Sequence, residues 1–129
     1  MHDANNCDLK KEVRISVHLN VAKEINVEEC NDIEYHHYPI IDCHPFHRDF
    51  IDSITYMISQ KIPDNTILVT CASGISRSPA VLLCYLYQIG FDLDSALMLL
   101  LKRRPIVNIH PNILKSIKDH YGIEDTYYV

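Results

Sequence analysis

The sequence predicts an α/β domain with a mostly parallel central sheet flanked by helices. Three observations carry that prediction. Short strand-like runs alternate with segments of helical periodicity along the chain, which is the order of a parallel sheet with crossover helices. The run Ile67-Leu68-Val69 is apolar throughout, as befits a strand covered on both faces. No Pro/Gly/Ser-rich linker, low-complexity segment or internal repeat divides the chain, so residues 1–129 read as a single domain.

Asp3 to Lys11 has weak helical character. Val13, Ile15, Val17 and Leu19 then alternate with Arg14, Ser16, His18 and Asn20, the period of a strand. Ile33 to Ile40 predicts a second strand, ended by Pro39 and the turn over Asp42 to Pro45. Phe46, Phe50, Ile54, Met57 and Ile58 recur at helical spacing and predict a helix over about 46–60. Pro63-Asp64-Asn65 is a turn, and Ile67 to Val69 is the buried strand. Ser78-Pro79 marks a helix start, with Gln88 and Gly90 at its end. Asp92 or Asp94 caps a further helix, which runs to Arg104 and is closed by Pro105. Pro111 opens a last helix and Gly122 ends it.

Bulk composition narrows the function. A net charge of −5 argues against a basic nucleic-acid or membrane-binding surface, so neither partner is expected. No apolar run approaches the roughly 20 residues of a membrane helix. The N-terminus MHDANNCDLKK has no apolar signal core, which leads to the expectation of a cytoplasmic, intracellular protein. Five cysteines, an odd count with no Cys-x-x-Cys pair, fit reduced thiols. His36, His37, His44 and His47 cluster without the spacing of a common zinc site, so no metal and no cofactor is expected.

The informative segment is ILVTCASGISRSPAVLLCYL, Ile67 to Leu86. A buried strand runs into a small-residue loop and then into a helix, which aims backbone N–H groups and a positive helix end at one spot. Cys71 stands at the start of that loop, where positive potential favours the nucleophilic thiolate. Arg77 stands where the loop joins the helix, and its planar fork can hold two phosphoryl oxygens at once. Gly74 permits the sharp turn, and Ser76 and Ser78 can donate hydroxyl bonds within the loop or to the sulfur. The plain alternative is a buried structural cysteine with Arg77 paired to a surface acid. It leaves unexplained why an apolar strand should run into Ala-Ser-Gly-Ile-Ser-Arg-Ser.

Cys71-Ala72-Ser73-Gly74-Ile75-Ser76-Arg77-Ser78 resembles the signature loop of the protein-tyrosine-phosphatase superfamily, in its dual-specificity branch. The likeness continues through Ala80 to Leu86, returns at Arg104-Pro105 and Pro111-Asn112, and covers the chain from about Ala4 to Tyr121. The resemblance implies a single phosphatase domain and a two-step reaction. Cys71 attacks phosphorus. The amides of Ala72, Ser73, Gly74, Ile75 and Ser76 hold the phosphoryl oxygens together with Arg77. An acid protonates the leaving group, water hydrolyses the phosphocysteine, and Ser78 helps the thiolate leave. By place and context the acid is Asp42, on the loop after Tyr38-Pro39-Ile40-Ile41. Asp49 is its rival but falls inside the helix expected over 46–60.

Two departures from the family pattern stand out. Thr70 replaces the histidine that usually precedes the cysteine, which implies a slower enzyme. The chain also starts close to the family's first helix, so the strand leading to Cys71 is expected at an exposed sheet edge, and a homodimer could cover it. The resemblance further implies a shallow pocket that admits phosphotyrosine, phosphoserine and phosphothreonine on protein substrates. The loop between Cys71 and Arg77 holds no lysine or arginine, unlike relatives that act on phosphoinositides or RNA 5′ ends. The competing readings are a phosphopeptide-binding module without turnover and an RNA or lipid phosphatase. Cys84 reads as core, and Cys43, beside Asp42, as a candidate oxidative partner of Cys71.

Overall fold

A computed structural model describes residues 6–124. Three short strands, β1 (Val17–Asn20), β2 (Glu34–His37) and β3 (Ile67–Thr70), form one parallel sheet in the order β2-β1-β3. Val17 lies opposite both Glu34 and Ile67, and Asn20 lies opposite His37 and Thr70, so all three strands end level with one another. Five helices lie among the described residues: α1 (Cys7–Glu12), α2 (Arg48–Lys61), α3 (Arg77–Gln88), α4 (Leu93–Arg103) and α5 (Pro111–Tyr121). This is the expected α/β architecture, and β3 lies at a sheet edge as expected.

Helix ends follow their capping residues. Asn6 caps α1 by accepting from Leu9 N, and His47 caps α2 by accepting from Asp49 N. Of the two candidates for α4, Asp92 is the cap, its Oδ1 2.8 Å from Ser95 N. Pro111 opens α5, and Gly122 closes it at φ 68°, a conformation that favours glycine. The part of the first expected helix before residue 6 lies outside the described residues.

The expected strands are shorter in the structure, for local reasons. Arg14 turns the chain at φ 62°, so the alternation from Val13 becomes strand only at Val17. Tyr38 N still bonds Asn20 O at 2.8 Å, but Pro39 has no N–H to continue the ladder after β2. The polar members of the alternation within β1 are not solvated. His18 and Asn20 are as buried as Leu19. Asn20 is satisfied by holding the chain that follows its own strand: its Nδ2 donates to Ile25 O (2.8 Å) and its Oδ1 accepts from Ala22 N (3.0 Å).

The core forms where Val17 and Leu19 of β1 meet Ile51, Ile54 and Ile58 of α2, Ala80, Val81 and Leu83 of α3, and Ile113 and Ile117 of α5. Helix α3 is the hub, with its first turn wholly buried. Leu19 is completely shielded from water, so Leu19→Ala removes its transfer energy and leaves a cavity. The expected cost is about 3 kcal/mol, read as a lower urea midpoint with unchanged slope.

One cysteine expectation is overturned. Cys7 and Cys30 form a disulfide that ties α1 to the segment between β1 and β2, while Cys43, Cys71 and Cys84 are free. Pairing is decided by where the fold brings α1, which neither the odd count nor sequence spacing reveals. Among the described residues no helix is long and apolar enough to cross a membrane.

Candidate active site

The site sits at the C-terminal end of the sheet, where β3 hands over to α3. Leaving Thr70, the chain bends through residues 71–76 and enters α3 at Arg77. Gly74 takes φ 74°, which an L side chain rarely adopts, and a Cβ there would come within 3.0 Å of Arg104 Nη2. The segment between α4 and α5 braces the loop from outside. Asn108 N donates to Ile75 O (2.8 Å), and His110 N donates to Ser76 Oγ (2.9 Å). Because Ser76 is used in this way, it makes no side-chain cap to α3, and the first turn of α3 has no acidic residue. The amides at the start of α3 are therefore left for an anion.

Cys71 lies at the buried end of this loop, its Sγ 3.3 Å from Ser78 Oγ. Burial pushes its thiol pKa up. The Ser78 hydroxyl and amide, the Gly74 amide and the Arg77 charge outweigh that and bring it below the usual thiol value. Cys84 is the contrast within the same chain: desolvated in the core, it is pushed up to about 12 and is an inert packing residue.

Arg77 is the largest fully buried side chain, and its donors divide into two edges. Nη1 donates to Glu24 Oε1 (2.8 Å) and to Ile40 O (2.8 Å), and Nη2 donates to Glu24 Oε2. Glu24 thus occupies the end of the fork. The side edge, Nε–H with the second Nη2–H, is left for a bidentate anion. Asp42 faces that edge, with Oδ1 3.6 Å from Arg77 Nε. The Arg77 hydrogen bonds hold the Glu24 carboxyl down at about 2, so the pair persists throughout the neutral and mildly acidic range.

The structure brings Cys71, Arg77, Ser78 and Asp42 together, with Ala72 to Ser76 as the loop joining them. Asp42 is exposed on a tight turn: its Oδ1 accepts from Cys43 N (2.9 Å), and Cys43 stands at φ 64°. Asn112 Nδ2 donates to Cys43 O (3.1 Å), pinning that turn to α5. Asp49 lies in the first turn of α2, next to His47, inside the helix as expected.

Sequence reasoning missed Glu24 and Arg104. Glu24 lies on the chain leaving β1, and its only sequence signal was an acid just beyond an apolar strand. Arg104 lies over Gly74, with Nη2 3.4 Å from Ser73 O, and adds a cation at the rim that the loop itself lacks. Among the described residues no group of three or more histidines, cysteines and acids is placed to hold a metal ion.

The family model for the dual specificity phosphatase catalytic domain matches residues 2–122. The chain belongs to that family. As a dual-specificity phosphatase domain it is 36% identical over 114 residues to dual specificity protein phosphatase 18 of Rattus norvegicus, covering 84% of this chain and 54% of the relative. It is 28% identical over 124 residues to protein phosphatase Slingshot homolog 3 of Rattus norvegicus, covering 94% of this chain and 19% of the relative. The chain thus spans about half of the first relative and about a fifth of the second. In fold it is similar to human DUSP28, with a TM-score of 0.84 at 17% identity over 92% of this chain and 85% of that one.

Proposed function

We propose that the domain is a cysteine-dependent protein phosphatase, hydrolysing phosphotyrosine, phosphoserine and phosphothreonine through a phosphocysteine intermediate. The observation that carries this is the side edge of Arg77, which Glu24 and the Ile40 carbonyl leave without a hydrogen bond and which faces the Asp42 carboxylate at 3.6 Å. A phosphomonoester held on that edge and on the loop amides presents phosphorus to Cys71 Sγ. The S–P bond forms as the P–O bond to the substrate breaks, and protonated Asp42 supplies the leaving oxygen with its proton. Water then attacks phosphorus with Asp42 as base, inorganic phosphate leaves, and Ser78 stabilises the released thiolate through its hydroxyl. The coupling test compares p-nitrophenyl phosphate with phosphoserine peptide in wild type and Cys71→Ser. Phosphopeptide binding without Cys71-dependent turnover would favour the binding-module reading instead.

Asp42→Asn separates the acid from the clamp. Loss of a general acid costs about 10²–10⁴-fold. The expected loss in kcat is near the upper end for phosphoserine, whose alkoxide leaves poorly, and near the lower end for p-nitrophenyl phosphate, whose phenolate leaves without help. Equal losses on both substrates would remove Asp42 from that role.

Protein phosphomonoesters are favoured over phosphoinositides and RNA 5′ ends because the loop carries no cation of its own and the chain is acidic. Arg104 at the rim is the one observation pointing the other way, and turnover of inositol phosphates in the same assay measures its weight. The β3 edge supports pairing with a second copy, checked by light scattering at high concentration.

A further inference from the structure

Beneath the loop lie two buried titratable side chains that the proposed reaction does not use. His18 of β1 and Lys10 of α1 are both shielded from water. Lys10 Nζ is 3.1 Å from His18 Nδ1, and His18 Nε2 is 2.8 Å from Thr70 Oγ1. Thr70 is buried too, and it is the residue directly before Cys71. The chemistry sets the direction of this chain. An ammonium group only donates, so Nδ1 accepts, the imidazole proton sits on Nε2, and Nε2–H donates to the Thr70 hydroxyl.

The surroundings keep that arrangement in one state. Burial, and then the charge of Lys10, bring the His18 pKa down to about 4, so the ring is neutral wherever an enzyme of this kind would work. Burial also lowers Lys10, with Glu28 opposing. From β2 the Tyr35 ring packs edge-on to His18, with centroids 5.4 Å apart, and Cys30 Sγ is 3.7 Å from Lys10 Nζ. On the far side of Thr70, Cys71 faces Ser78 and Arg77 of α3. This buried chain of hydrogen bonds fixes the Thr70 rotamer at the end of the strand that leads into Cys71.

We propose that Lys10, His18 and Thr70 form a positioning relay for Cys71, holding the strand end beneath the sulfur and favouring its thiolate. The relay rests on the reading of Cys71 as the nucleophile. None of the three touches substrate; each acts through the next.

The test follows alkylation of Cys71 by iodoacetamide against pH, read on the Cys71 peptide by mass spectrometry so that Cys43 and Cys84 do not interfere. The full chain is used, with kcat and KM for p-nitrophenyl phosphate measured alongside. Thr70→Val keeps the shape and removes the hydroxyl, and His18→Phe removes the link to Lys10. Both are expected to raise the Cys71 midpoint by about half a unit to one unit and lower kcat several-fold at unchanged KM. His18→Gln, whose amide can accept from Lys10 and donate to Thr70, is expected to restore wild-type behaviour. The double variant Thr70→Val/His18→Phe is expected to go no further than either single variant, because both break one chain. A lowered wild-type midpoint that Thr70→Val leaves in place overturns the relay and spares the nucleophile. A wild-type Cys71 that titrates as an ordinary thiol overturns both.

Discussion

Cys71→Ser is expected to lower kcat for p-nitrophenyl phosphate by about 10⁴-fold or more while the domain still binds phosphate. The two halves of that result have separate origins. Turnover needs a nucleophile that is anionic at neutral pH, and only a thiol can be brought there by loop amides, a neighbouring hydroxyl and a guanidinium. A serine hydroxyl in the same place stays protonated. Binding comes from groups the substitution leaves alone: the bent loop, the uncapped start of α3 and the side edge of Arg77. Steady-state kinetics and calorimetric titration with inorganic phosphate, or with a phosphopeptide on the inactive variant, separate the two. Loss of binding together with turnover would mean that the sulfur is part of the loop's structure.

The second large effect is at Arg77. Arg77→Lys keeps a positive charge yet is expected to lower kcat by about 10²–10³-fold, because an ammonium cannot serve Glu24 and two phosphoryl oxygens at once. Glu24 and the Ile40 carbonyl take the end of the fork and so fix the plane of the guanidinium, which leaves the side edge in register with the site. Glu24→Gln tests that division. It keeps one hydrogen bond and loses the charge, and a milder drop of about tenfold is expected. Equal activity of Arg77→Lys and wild type would show that charge alone suffices and that the fork geometry has no part in the rate.

Much of this was legible in the sequence, and the reasons are physical. The loop from Cys71 to Ser78 is read directly because an anion site built from backbone needs small residues, a turn-forming glycine and a following helix in one continuous stretch. Helices α4 and α5 were legible from Asp92, Pro111 and Gly122, since capping is local. The turn that carries Asp42 was legible because it follows a strand that Pro39 must end. What escaped was everything set by packing between distant segments. His18 and Asn20 are the polar members of a strand's alternation, yet both are buried. Glu24 meets Arg77 only because Asn20 folds the chain after β1 back on itself. Cys7 and Cys30 pair because α1 docks beside the segment between β1 and β2. In each case the partner is remote in the chain, and no spacing rule points to it.

The most direct measurement is a rapid acid quench of the domain turning over ³²P-labelled phosphotyrosine peptide, followed by mapping of the label. The account predicts phosphate on the Cys71 sulfur. It should be missing in Cys71→Ser, and it should accumulate further in Asp42→Asn when the labelled substrate is p-nitrophenyl phosphate, whose phenolate leaves without the acid while water is no longer activated for the second step. Product released with no label on the protein, or label on a histidine or serine, would contradict it.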